Sequence, residues 1–178
     1  TSMVAVAYVW KWLYNPSYGL INQALAAVHL PTQLWLESNV LVLPSLAVIY
    51  LWARFGFDML IFIAGLEGIP VAYYEAARID GAGKGRALWH ITLPLLNPQF
   101  VLVGILDTIG ALNIFDLPYA ATAGGPGDAS RTAVMYLYDT AFTFFNFGKS
   151  AVSTLVLFVL ITALTLVQRR LVARHVEY

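Results

Sequence analysis

Three long apolar stretches constrain this chain more than any other feature of its sequence. They cover residues 39–69, 93–115 and 147–167. Each can cross a hydrocarbon layer of about 30 Å, which takes roughly 20 helical residues. The composition agrees, because 60% of the residues are hydrophobic and only 11% are charged, whereas a soluble domain carries about twice that share of charge. The sequence therefore predicts an integral membrane protein built from helices.

Several classes of protein are disfavoured by what the chain lacks. The formal net charge is +0, which gives no support to a nucleic-acid partner. With no cysteine there is no disulfide framework or thiolate zinc site, and His29, His90 and His175 show no metal-ligand spacing. The chain has neither a phosphate-binding G-x-x-x-x-G-K-[ST] loop nor a catalytic Ser/His/Asp set in a water-facing context. We therefore expect no enzyme activity, no metal site and no cofactor.

Lysine and arginine counts predict how the chain crosses the membrane. Basic residues concentrate in the segment 73–94 and in the C-terminal tail, whereas the segment 15–38 has none. The positive-inside rule then places 73–94 and the C-terminus in the cytoplasm, and 15–38 and 115–146 outside. This arrangement requires a single crossing within 39–69. Gly56, which lies between Arg54 and Asp58, would by itself also be compatible with two short segments that meet there. The basic residues concerned are Arg78, Lys84 and Arg86 in the first group, and Arg169, Arg170 and Arg174 in the second.

Residues 1–13 are apolar but too short to span the membrane on their own. We interpret them as the end of a helix that begins earlier, so we expect the chain to be the C-terminal part of a longer protein. The whole of 1–178 is then a single, partial transmembrane domain.

Between the first two long stretches lies a segment of small and charged residues. Glu75-Ala76-Ala77 is typical of a helix, and Gly81-Ala82-Gly83 should break it, because glycine reaches left-handed backbone angles without strain. A second helix is predicted from Lys84 to about Thr92, and Pro94 fits the first turn of the next span. Helix, turn and helix give a bent element with an alanine-rich surface that another protein's backbone could approach closely. An ordinary polar loop is the alternative.

The same segment resembles the EAA signature of permeases from binding-protein-dependent ABC importers. The match covers about twenty residues, and an importer of the carbohydrate-uptake type is the nearest description. Two weaker likenesses to sugar permeases are the pattern of Asn15-Pro16, Gly19 and Asn22 and the turn Thr122-Ala123-Gly124-Gly125-Pro126. The residues that carry the EAA resemblance are Glu75, Ala76, Ala77, Asp80, Gly81, Ala82, Ile91, Leu93 and Pro94.

This resemblance implies a fold, an assembly and a location. The fold is an all-α, polytopic transmembrane bundle of the type I ABC importer class, in which residues 71–92 form a cytoplasmic coupling helix that docks on an ATPase. The partners are a second, similar permease, two ATPase subunits that bind the ATP, an extracytoplasmic solute-binding protein and membrane lipid. The location is the inner membrane of a prokaryote. The nine residues that match the motif are the predicted ATPase-coupling residues.

Ionisable residues inside membrane spans are costly, so they are candidates for function. Asp107 and Arg54 lie at similar depths in their predicted spans, roughly 20 Å from the cytoplasmic end. We hypothesise that Arg54 pairs with Asp107 or with Asp58, either for function or purely to stabilise the fold. Unchanged transport and expression after both Arg54 and Asp107 are neutralised would remove any functional role.

Hydroxylated solutes need amide and carboxylate partners, because each hydroxyl group both donates and accepts hydrogen bonds. Asn113 and Asp116, three residues apart, are predicted to share a helix face near the outer end of their span. With Tyr119, Asp107 and the mid-span Trp52 they form our set of substrate-path candidates. Asp116 and Tyr119 facing water, and Trp52 packing in the core, are the alternatives.

The resemblance favours a sugar or related polyol as the solute, and glycerol-phosphate-type substrates are the second choice. A phosphorylated ligand needs several basic groups, and only Arg54 lies away from the ends of the predicted spans, which favours a neutral sugar. A secondary transporter or channel, which would work without an ATPase, is the alternative from a different class of protein.

Overall fold

The computed structural model describes residues 2–172, and all regular structure within them is helical, as the sequence predicted. Arg174, His175 and the C-terminus lie outside the described residues. The helices are α1 (Met3–Leu13), α2 (Leu20–Ala27), α3 (Val42–Glu67), α4 (Val71–Ile79), α5 (Lys84–Leu95), α6 (Asn97–Leu112), α7 (Asp116–Thr122), α8 (Ala133–Tyr138, followed by a π-helical turn, Asp139–Thr143) and α9 (Phe147–Val172).

Helices α3 and α9 are long and apolar enough to cross a membrane by themselves. Helices α5 and α6 pass the same test only as a pair, bent by 58° at the break between them. The shorter α1 is apolar but has only 11 residues. Within the described residues the chain therefore offers two straight spans and one broken span.

The prediction that Pro94 lies in the first turn of a span over 93–115 is wrong, because the helix is interrupted between Leu95 and Asn97. Pro94 lies late in α5 rather than opening the span, and the turn before it widens to a π-helix, Leu88–Thr92. A proline lacks the N–H group and crowds the carbonyl one turn earlier, so a wider turn relieves both problems. Helix α6 instead begins at Asn97, with Pro98 in its first turn, the position that proline favours.

The other end of this span also differs from the prediction. Helix α6 ends at Leu112, so Pro118 does not terminate it and lies instead in the first turn of α7. Asn113 follows the end of α6, and Asp116 is the first residue of α7. The prediction that Asn113 and Asp116 share one helix face is therefore wrong, because a turn separates them.

The contacts divide the chain into two units, and each has its own packing. The first contains residues 2–54 together with Ala111–Phe158. Helices α1 and α7 pack on each other in it, with the first half of α3 completing the core. The fully buried side chains at its centre are Ile49, Leu117 and Val42.

An aromatic series and one buried amide organise the segment between α1 and α3. Trp10 contacts Trp52 and Tyr14, and the Tyr14 ring stacks on Trp35 with the centroids 5.4 Å apart. Asn22 is only 3% exposed, and both the oxygen and the nitrogen of its side-chain amide make hydrogen bonds. Its Oδ1 accepts hydrogen bonds from Trp35 Nε1 (2.9 Å) and Gln33 N (3.0 Å), and its Nδ2 donates to the Gln33 carbonyl (2.9 Å). Asn22 thus holds the irregular segment around Gln33 and Trp35, between α2 and α3, in place.

The second unit contains Phe55–Gly110 and residues 159–172. The second half of α3 packs against α6 in it, with the rings of Phe62 and Phe100 4.7 Å apart. A Cβ atom at Gly65 would lie 2.5 Å from Gln99 Cδ, so α3 approaches α6 closely at this glycine. Gln168 of α9 donates to Thr108 Oγ1 of α6 at 2.7 Å. The short helices α4 and α5 belong to this unit.

Candidate functional site

Helices α4 and α5 and the turn between them form the bent element expected from the sequence, which we call the elbow (residues 71–92). Helix α4 ends in a Schellman motif: Gly81 N donates to the Arg78 carbonyl at 3.1 Å, and Ala82 N to the Ala77 carbonyl at 2.8 Å. Gly81 has a φ of +73°, the left-handed region that this motif requires. Gly83, with extended backbone, then precedes Lys84, the first residue of α5. The predicted glycine break is present.

One hydrogen bond joins the two arms of the elbow. The Tyr74 hydroxyl of α4 lies 3.0 Å from Thr92 Oγ1 of α5, and either oxygen can donate. Thr92 is only 8% exposed and also points toward the Ala87 carbonyl at 3.5 Å. Because these residues are 18 positions apart, the bond adds to the glycine turn in holding the angle between the arms.

A cavity of about 550 Å³ lies in the angle between the arms, and we call it the notch. Its walls are mostly small residues, and two basic side chains, Arg78 and Lys84, belong to its lining. Small side chains leave room for a group from outside the chain to enter. The residues that line the notch are Tyr74, Ala77, Arg78, Ala82, Gly83, Lys84, Ala87, Leu88 and Thr92.

Of the nine predicted coupling residues, the structure brings only Ala77 and Ala82 into the notch. No residue of α4 is buried, so its surface is available to another molecule. The exposed coupling residues are Glu75, Ala76, Asp80, Gly81 and Pro94, and the half-buried ones are Ala77, Ala82, Ile91 and Leu93. Their role as a docking surface stays a prediction.

Sequence reasoning missed several residues of this surface. Tyr74 and Thr92 form the bond between the arms, and nothing in their local pattern predicts a contact between them. Ile79 is 87% exposed and Trp89 70% exposed, which makes them two large apolar side chains on the outside of the elbow. The exposed position of Ile79 follows from the sequence only once the end of α4 at the glycine turn is known.

The substrate-path candidates lie at different places. Asp116 is exposed in the first turn of α7, and its Oδ1 accepts a hydrogen bond from Leu117 N at 2.9 Å. Tyr119 is 48% exposed and stacks on Phe115, with the ring centroids 5.0 Å apart. Trp52 is 59% exposed and meets Trp10 edge to face, so it is not the core residue that the alternative required. Asn113 is exposed just after α6.

The predicted intramembrane charges are all half-buried. Arg54 and Asp58 lie on α3 and Asp107 lies on α6. Their pairing stays a prediction.

Comparison with known proteins gives the family of the chain. Residues 3–176 match the family model described as "Binding-protein-dependent transport system inner membrane component". A sulfoquinovosyl glycerol permease protein, SmoG of Agrobacterium fabrum, is 35% identical over 92% of this chain and 53% of its own length. The trehalose/maltose permease protein MalF of Thermococcus litoralis is 39% identical over 90% of this chain and 54% of its own.

A third relative is the sn-glycerol-3-phosphate permease protein UgpA of Agrobacterium fabrum, 34% identical over 96% of this chain and 58% of its own length. The chain thus spans about half the length of these curated relatives. A bacterial ABC transporter involved in the import of alginate contains a chain with the same fold, at a TM-score of 0.85 and 21% identity. That match covers 99% of this chain and 62% of the other.

The family match, the relatives and the shared fold agree with the resemblance seen in the 71–92 segment. The chain belongs to the family of binding-protein-dependent transport system inner membrane components.

Proposed function

We propose that this chain forms part of the permease of an ATP-driven ABC importer, and that the elbow couples it to the ATPase subunits. The observation that carries this proposal is the elbow itself. Two short helices meet at a left-handed glycine, with no buried residue on α4. Most of that surface is exposed within the described residues, and a rigid bend of this kind can transmit the movement of a partner. The family match supports the same conclusion.

The proposed assembly has a second, similar permease, two ATPase subunits and an extracytoplasmic solute-binding protein. A second solved structure with this fold, at 22% identity, is an alginate ABC transporter in complex with a periplasmic protein bound to an alginate pentasaccharide. That complex supports the solute-binding partner. ATP hydrolysis is assigned to the partner subunits, so the chain itself needs no cofactor and catalyses no reaction.

The proposed orientation places the elbow and the C-terminus in the cytoplasm of a prokaryote, and the segments 15–38 and 115–146 outside. The basic residues of the elbow support it through the positive-inside rule. ATP binding would move the elbow with the ATPase, and the spans would follow between inward-open and outward-open states. A partner shifts such an equilibrium only by its differential affinity for the two states, so the docking has to be tight.

The proposed solute is a sugar or a related polyol. The relatives are named for transport of sulfoquinovosyl glycerol, trehalose/maltose and sn-glycerol-3-phosphate, which are sugars or polyol derivatives. We keep Asp107, Asn113, Asp116, Tyr119 and Trp52 as substrate-path candidates. Alanine at Asn113 without any change in the KM of uptake would remove that residue from the set.

Deletion of the ATPase partner tests the proposal against the alternative class. An importer should lose uptake of labelled sugar completely in cells or proteoliposomes that lack the ATPase. A secondary transporter or channel would keep its uptake there and lose it when the ion gradient collapses. Uptake that survives without the ATPase would contradict the proposed function.

Removal of the bond between the arms should weaken coupling without preventing assembly. Tyr74→Phe deletes one hydroxyl, and a hydrogen bond of this kind stabilises a structure by about 1 kcal/mol. We therefore expect uptake to fall by roughly fivefold, because the angle between α4 and α5 is less firmly held. Thr92→Val should have a similar effect. Exposed Tyr73, on the same helix and outside the notch, provides the control as Tyr73→Phe, which should leave uptake unchanged.

A further inference from the structure

The notch holds two cations that lack a counterion in the described part of the chain. Arg78 lies in the last turn of α4, and Lys84 is the first residue of α5. Both are exposed, and within residues 2–172 neither makes an ion pair or a side-chain hydrogen bond. Glu75 and Asp80 are the nearest carboxylates along the chain, yet neither lines the notch. Two like charges at one cavity repel each other, and an anion that enters removes that repulsion.

The remaining walls suit a side chain that enters from outside. Ala77, Ala82, Ala87 and Gly83 project little into the cavity, which has a volume of about 550 Å³. The Tyr74 and Thr92 hydroxyl groups belong to the same lining and give it a polar part. A carboxylate placed here could accept charge-assisted hydrogen bonds from both a guanidinium and an ammonium group, which are about twice as strong as neutral ones.

We propose that the notch receives an Asp or Glu side chain from the ATPase subunit. This inference rests on the proposed function and adds the chemistry of the contact. The elbow also exposes two large apolar side chains, Ile79 and Trp89, and apolar or aromatic groups together with arginine are common at protein interfaces. The third cation of the elbow, Arg86, lies outside the notch. Anionic lipid would call for cations spread along one helix face, whereas Arg78 and Lys84 converge on one cavity.

Charge reversal tests the proposal on the complete transporter. The reversals Arg78→Glu and Lys84→Glu are made singly and together. Each should lower the affinity of the permease for the ATPase subunit by about tenfold, since each replaces an attraction to the carboxylate with a repulsion. Arg86→Glu is the matched control, because it makes the same change of net charge on the helix that carries Lys84 and should alter affinity less than about twofold. Affinity is measured by titrating labelled ATPase subunit onto the permease in nanodiscs.

The outcomes separate this inference from the function on which it rests. If the wild-type permease binds no ATPase subunit at all, the proposed function fails. If the wild type binds it and all three reversals have equal or negligible effects, only the notch contact is overturned. The titration is repeated in nanodiscs of phosphatidylcholine alone and with added phosphatidylglycerol. An effect of Arg78→Glu and Lys84→Glu that appears only with phosphatidylglycerol would assign the notch to a lipid headgroup and overturn the proposal.

Discussion

Replacement of Gly81 by valine is expected to uncouple ATP hydrolysis from solute uptake while the permease still inserts into the membrane. Gly81 has a φ of +73° and so adopts the left-handed conformation of the Schellman motif that ends α4. Left-handed backbone costs an ordinary L-residue about 1–2 kcal/mol, and a β-branched one suffers more. The turn should therefore relax to another conformation and change the angle between α4 and α5. We expect at least a tenfold fall in solute transported per ATP hydrolysed in proteoliposomes.

Two further variants test whether the backbone conformation at residue 81 causes the loss of coupling. A Cβ atom at Gly81 meets nothing within 4 Å, so valine would not clash with a neighbour. Gly85 also has open space around it but lies in helix α5, and Gly85→Val should transport normally. Gly81→Asn should keep most of the coupling, because asparagine tolerates left-handed angles. Normal uptake in Gly81→Val, at a wild-type membrane level, would count against the elbow as the coupling element.

Replacement of Asn22 by leucine is expected to have the largest effect on folding. Leucine is similar in size but leaves Trp35 Nε1 and both backbone groups of Gln33 without their partner. Gln33 and Trp35 are half-buried, so each of the three groups that loses its hydrogen bond costs about 1 kcal/mol, and we expect a total loss of roughly 3 kcal/mol. Thermal unfolding of the purified permease, followed by size-exclusion chromatography after heating, measures the change.

The neighbouring residue gives a control for the Asn22 variant. Gln23 is exposed, and its Nε2 donates to the Tyr18 carbonyl at 2.9 Å. Gln23→Leu removes this exposed bond and should change stability by less than about 0.5 kcal/mol. Equal unfolding temperatures for the Asn22 and Gln23 variants would mean that the buried amide does not hold the segment between α1 and α3.

The sequence predicted the elements whose signals are local. The break at Gly81 was predictable because glycine is the residue that adopts left-handed backbone angles most readily, and Gly81 does adopt them at the end of α4. The long helix α3 was predictable because a continuous apolar stretch of this length is itself the signal of a membrane-spanning helix. The prediction failed at Pro94, since an Asn97-Pro98 pair further on starts the next helix and the turn before Pro94 widens instead. That pair was visible in the sequence.

Features made by residues far apart in the chain could not be predicted in the same way. The notch depends on the angle between two short helices, and a contact between Tyr74 and Thr92 helps the glycine turn to hold that angle. Asn22 was noticed only as part of a weak loop pattern, because its partners lie 11 and 13 residues later in an irregular segment. Asn113 and Asp116 looked like neighbours on one helix until the end of α6 at Leu112 separated them. Spacing predicts a shared helix face only where the helix continues.

Cross-linking from a single cysteine in the elbow, with a reagent that carries a thiol-reactive maleimide and a photoreactive group, tests most directly whether the elbow docks on the ATPase subunit. These 178 residues include no cysteine, so a single cysteine introduced among them has no competing thiol within this chain. Ile79, which is 87% exposed at the end of α4, is the site of choice. We expect Ile79→Cys to react with membrane-impermeant maleimide only from the cytoplasmic side, and to cross-link to the ATPase subunit in the assembled transporter. Labelling from the outside, or free labelling without any cross-link in the assembled complex, would contradict it.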